Sequence, residues 1–286
     1  TSMRCSSTLP PDAARPLVHP GPSHPPFHGA NGIGGIELPP VEGEPPATDP
    51  AAPAGASSAM PVLAAFERVL EPAAPGEVTV IALAPLTNIA LLLATRPDLA
   101  DRIGLLAVMG ASIDRGNITP FAEFNVWADP EAAHRVLAEG EIPTRLFTLS
   151  ATQRAAFDES QRLELAGWSR VGALLAEMIL GYDDQVARPG WPLHDAMVVA
   201  GLLEPEIVEQ RAAAALEVDT TGGPRRGATT VTWDQSLVLG SPVGDKGRGV
   251  PASRPLEVAV DADPERFREL VRERIGTFRR CGSASC

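Results

Sequence analysis

Leu105–Gly140 reads LLAVMGASIDRGNITPFAEFNVWADPEAAHRVLAEG, and the rest of the chain is understood from it. Leu105 to Met109 is an apolar run with the length of a buried strand, closed by Gly110. A polar loop follows, carrying Asp114, Gly116, Asn117 and Thr119, and then Glu123, Phe124 and Asn125. Asp129 is placed to cap a helix, with Pro130 at the first helical position, where a missing N–H costs nothing. Ala132, Ala133, Val136 and Leu137 have the spacing of one buried helical face. In a parallel sheet, ligands bind beyond the carboxyl ends of the strands, where this reading puts Asn117, Glu123 and Asn125. Taken alone, these residues read as a solvated loop before a helix cap.

Upstream, Val78 to Leu83 is a β-branched apolar run after the turn signal Pro75-Gly76, and predicts a buried strand. Ala84-Pro85-Leu86 ends it, and Thr87 or Asn88 is expected to cap a helix reaching Leu93. With the strand at Leu105 this makes a βαβ unit. A second unit follows, with a helix over 130–139 and a strand from Arg145 to Leu149. Two such units predict an α/β fold with a mostly parallel sheet flanked by helices on both faces. Met60–Leu70, Ser160–Asp184 and Phe267–Ile275 read as helices, and Ala213–Val218 with Thr229–Thr232 as a hairpin. Another apolar helix starts at His194-Asp195 and ends near Leu203. Residues 1–26 hold seven prolines and read as an irregular segment, 27–278 as one domain, and 279–286 as a tail.

The formal charge of −12 argues against a nucleic-acid or anionic-membrane surface. No apolar run reaches the ~18 residues of a membrane span, and no secretory signal is visible. Cys5, Cys281 and Cys286 lie at the ends, which fits a reducing cytoplasm better than a disulfide framework.

His194 beside Asp195 at a helix start is a chemically suggestive pair. Asp195 is a hard oxygen ligand of the kind calcium prefers, and His194 titrates near neutral pH. A helix cap and a surface imidazole explain the same two residues.

Four stretches together resemble one family. GASIDRGNITPFAEFNVWADPEAA is similar to the signature of the inosine-uridine-preferring nucleoside hydrolases. FHGANGIGG (Phe27–Gly35), LAPLTNIALLL (Leu83–Leu93) and PLHDAMVVA (Pro192–Ala200) are similar to the same family in the same order. The resemblance runs from about Ala14 to Phe278. It implies a Rossmann-like sheet of the nucleoside hydrolase type, hydrolysis of the N-glycosidic bond of ribonucleosides, and a homo-oligomer, dimer or tetramer. It further implies that Asn117, Glu123 and Asn125 hold the ribose, with Met109 against the sugar. His194 is then the acid that protonates the leaving base, and Ca2+ lies on Asp195 and the Leu83 carbonyl. Tyr182 is expected to close over the base, and His28 to lie near the active site.

One departure stands out. The family opens with a strand running into an Asp-x-Asp-Pro-Gly-x-Asp-Asp cluster, and nothing like it occurs here. Asp183-Asp184 and Asp261-Ala262-Asp263-Pro264 do not follow a strand in the right order. The N-terminal strands are therefore expected to be missing and the calcium ligand set incomplete. The expected function is a truncated, weakly active nucleoside hydrolase. The alternative is a non-catalytic riboside-binding or partner subunit of the same fold.

Overall fold

The computed structural model describes residues 13, 15–19, 33–37, 60–181, 190–234 and 256–278. His28, Tyr182, most of the 1–26 segment and the 279–286 tail lie outside the described residues. In chain order the elements are α1 (Met60–Leu70), β1 (Val78–Ala82), α2 (Thr87–Thr95), β2 (Ile103–Met109), α3 (Phe124–Ala128), α4 (Pro130–Ala133), β3 (Thr144–Phe147), α5 (Leu149–Gln153), β4 (Ala156–Phe157), α6 (Glu159–Trp168), α7 (Arg170–Leu180), β5 (Trp191–Pro192), α8 (His194–Leu203), β6 (Gln210–Val218), β7 (Thr229–Trp233), β8 (Leu256–Asp261) and α9 (Pro264–Gly276). The chain divides into two compact units, one of residues 1–21, 48–149 and 212–258, the other of 22–47, 150–211 and 259–286.

The first unit is built on a sheet of order β1-β2-β3-β8-β6-β7. β1, β2 and β3 run parallel, while β6 and β7 form the expected antiparallel hairpin. The two βαβ units are present. Leu106, Val108 and Leu146 from the strands and Ile89, Leu92, Leu93, Val136 and Leu137 from the covering segments share one core. Gly104 at the head of β2 sits against the Gly76 turn, where a Cβ would lie 2.1 Å from the Gly76 carbonyl oxygen.

Several elements differ from the sequence reading. Among the described residues β1 is an edge strand with alternating exposure, and Ile81 is 42% exposed. α2 takes Leu86 as its N-cap without a side-chain bond. Thr87 instead donates its hydroxyl to Asp129 at 2.6 Å, and Asn88 Oδ1 accepts the Ala13 N–H at 3.0 Å. The helix expected over 130–139 is α4 followed by a π-helical turn, His134–Ala138. β8 was not anticipated.

The second unit is a helical assembly. The helix expected over 160–184 is interrupted at Ser169, whose Oγ accepts the Gly172 N–H at 3.0 Å and starts α7 afresh. Asp158 and Gln161 close a reciprocal cap on α6. Phe157 packs edge-on against Phe267 of α9, ring centroids 6.4 Å apart. Met197, Val198 and Ile207 are buried in the same unit.

Candidate active site

Five predicted residues gather in the first unit, around the carboxyl ends of β1 and β2. The loop after β2 folds back tightly, with the Asn117 and Ile118 N–H groups both donating to the Ala122 carbonyl. Asn117 Oδ1 accepts the Phe124 N–H at 2.9 Å. Glu123 is 2% exposed and caps α3, its carboxylate accepting the Asn125 and Val126 N–H groups at 2.9 and 3.2 Å. It also accepts the Ala111 N–H at 3.1 Å, which ties the far end of the loop to β2. A carboxylate has about four lone-pair sites, so three backbone donors make Glu123 a structural centre in its own right. Ala111 has φ of 63°, a left-handed conformation that costs an alanine about 1–2 kcal/mol.

The Asn125 amide Nδ2 donates to the Met109 carbonyl at 3.1 Å and reaches the Leu83 carbonyl at 3.4 Å. One side chain thus spans the ends of both strands. Leu83, Met109, Asn117, Glu123 and Asn125 are brought together as a single hydrogen-bonded cluster.

Just beyond, Asp129 is fully buried and accepts from the Thr87 hydroxyl, the Leu17 N–H and the Ala132 N–H. It is the N-cap of α4, as expected. Glu131 pairs with Arg226 through bonds of 2.9 and 2.7 Å. Burial pushes its carboxyl up, but the Arg226 guanidinium more than offsets this and the net shift is downward. Asp219 is likewise held below its usual range by the hydroxyl and N–H of Thr221.

His194 and Asp195 lie in the second unit, in the first turn of α8. The N-cap is Leu193, so Asp195 is not a cap; it is exposed and complements the helix dipole. The His194 ring is held by a 2.6 Å hydrogen bond between Nδ1 and the Thr152 hydroxyl of α5, and Thr152 is fully buried. Thr152 was not singled out in the sequence. Nothing in its local pattern marks it, because its partner lies 42 residues away.

The residues proposed for calcium do not fit that ion. Calcium takes about 6–8 oxygens, several of them carboxylate. The Leu83 carbonyl already receives the Asn125 amide, and Asp195 is a single exposed carboxylate. Among the described residues no group of three or more His, Cys, Asp or Glu side chains is placed to hold a metal.

The chain is 33% identical over 261 residues to the non-specific ribonucleoside hydrolase RihC of Salmonella agona, covering 91% of this chain and 76% of that protein. Among solved structures it is similar to an inosine-guanosine nucleoside hydrolase (TM-score 0.72, 25% identity, 93% of this chain and 80% of that one). It is also similar to a purine-preferring ribonucleoside hydrolase from Gardnerella vaginalis (TM-score 0.67, 25% identity, 88% and 73%). The sequence profile of inosine-uridine preferring nucleoside hydrolases matches residues 3–269, opening ahead of the Ala14 expected from the motifs. The chain belongs to the inosine-uridine preferring nucleoside hydrolase family.

Proposed function

We propose that this nucleoside hydrolase family chain grips the ribose of a ribonucleoside with Asn117, Glu123 and Asn125, and that Met109 lies against the sugar. The observation that carries this is the Asn125 amide, which gathers the ends of β1 and β2 while its backbone N–H is held by buried Glu123. Amide and carboxylate groups together match a diol, which both donates and accepts. A carboxylate and carbonyl oxygens near the sugar also favour the oxocarbenium character that develops as the glycosidic bond breaks.

His194, oriented by Thr152, serves as the general acid that protonates the departing base. Tyr182 closes over the base and His28 supports the site, as the family resemblance implies. The residues of 27–278 work as one functional α/β domain, in a homo-oligomer of a reducing, cytoplasmic compartment.

Water activation is assigned to no described residue, because one carboxylate (Asp195) and one carbonyl (Leu83) fall short of the oxygens that calcium takes. The same lack of fit favours a second reading, a riboside-binding chain without hydrolysis. Release of free base from inosine and uridine, with and without chelator, tests the proposal. Slow release indifferent to chelator is expected. Fast, chelator-sensitive release contradicts it and shows that other carboxylates hold a metal.

A further inference from the structure

We infer that Thr229, at the head of β7, is a positioning residue for the ribose-binding loop. Its hydroxyl donates to the Ser112 carbonyl at 2.6 Å and accepts the Ser112 N–H at 3.1 Å. One hydroxyl thereby satisfies both backbone groups of a single residue, and that residue follows the left-handed Ala111. Ala111 in turn donates its N–H to Glu123. The chain of contacts from Thr229 to Glu123 passes through Ser112 and Ala111 and stays within the first unit.

The turn before β7 grips the same loop at other points. Ala228 forms an antiparallel bridge with Ala122, next to Glu123. Gly227, at φ of 79°, lies so close to α3 that a Cβ would sit 2.6 Å from the Trp127 Cα. Arg225 stacks over the Phe121 ring at 4.9 Å, and Arg226 pairs with Glu131. These contacts fix both shoulders of the segment that carries Asn117, Glu123 and Asn125. Thr229 holds Ser112, the residue directly after the left-handed Ala111 with which the loop leaves β2, and for Ala111 an extended conformation is the easiest alternative. Loosening that point lets Glu123 and Asn125 drift together, which lowers affinity for the sugar without touching the ligand.

The inference rests on the ribose reading above, and its test separates the two. Inosine and 2′,3′-dideoxyinosine, which lacks the sugar diol, are titrated calorimetrically against the unaltered chain, Thr229→Val and Thr229→Ser. The unaltered chain is expected to prefer inosine by roughly tenfold or more, the scale of one charge-assisted hydrogen bond. Thr229→Val is expected to lose most of that preference, and Thr229→Ser, which keeps the hydroxyl, to restore it. A merely structural role changes the melting temperature but leaves the preference intact, and that result overturns the inference. Equal binding of the two nucleosides by the unaltered chain overturns the ribose reading and this inference with it. Should Thr229→Val not fold, hydrogen exchange at the Ser112 N–H of the unaltered chain decides. Protection matching that of β2 is expected, and exchange at exposed-loop rates overturns the proposal.

Discussion

Glu123 accepts the backbone N–H of Ala111 across a turn of twelve residues, at 3.1 Å, while capping α3 with the same carboxylate. The carboxylate that faces the proposed ribose is therefore also the peg on which the loop hangs. Glu123→Ala leaves buried N–H groups unpaired, and each such loss costs about 1–3 kcal/mol. The variant is expected to unfold at lower urea concentration with an unchanged m-value. A midpoint equal to that of the unaltered chain contradicts the capping role.

Ala111 offers a test of the opposite sign. Relief of its left-handed conformation by Ala111→Gly returns about 1–2 kcal/mol, while loss of one buried methyl removes about 0.8 kcal/mol. Glycine's extra freedom in the unfolded chain takes roughly 0.5–1 kcal/mol more. The opposing terms nearly cancel, so Ala111→Gly is expected to be close to neutral. Ala111→Val, with a branched Cβ at positive φ, is expected to lower the melting temperature clearly. Equal losses for both variants contradict the strain argument.

Thr152 and His194 make a prediction about the ring itself. The 2.6 Å bond engages Nδ1, so one ring orientation dominates, while the hydroxyl, which both donates and accepts, suits either tautomer. In 15N-histidine-labelled protein, the Nδ1 signal of His194 is expected to carry the signature of a hydrogen bond. Thr152→Val moves that signal, and Thr152→Ser reverses the shift. Identical ring-nitrogen signals in Thr152→Val contradict the positioning role.

Much of the fold was legible because buried strands write themselves as apolar runs. β2, the Asp129 cap with Pro130 and the β6–β7 hairpin could all be read directly. Where the sequence reading failed, a local signal was overridden. Apolar periodicity continues through Ser169, which hid the cap that divides α6 from α7. Val78 to Ala82 has the composition of a buried strand yet lies at the edge of the sheet among the described residues, and composition does not report neighbours. Glu123 is an uncommon N-cap, so α3 went unnoticed. In the candidate site the residues proposed to hold the ribose came from a motif, but the residues that hold them in place did not. Ser112 and Thr229 are 117 residues apart, and no spacing rule connects them.

The Glu131–Arg226 pair sets a pH dependence. Its carboxyl is depressed in the folded state, so its stabilisation is fully present above the ordinary glutamate value and disappears as pH falls through the lower folded one. Glu131→Gln is expected to lower stability at neutral pH and to flatten the acid limb of the stability curve. A parallel downward offset at every pH contradicts the assignment.

Recognition of a sugar diol by the loop from Asn117 to Asn125 is the central claim. Calorimetric titration of the unaltered chain with inosine and with 2′,3′-dideoxyinosine answers this without disturbing the fold. Saturable inosine binding, with the dideoxy compound weaker by roughly tenfold or more, is the predicted result. Equal affinity for the two nucleosides, or no saturable binding of inosine, contradicts it.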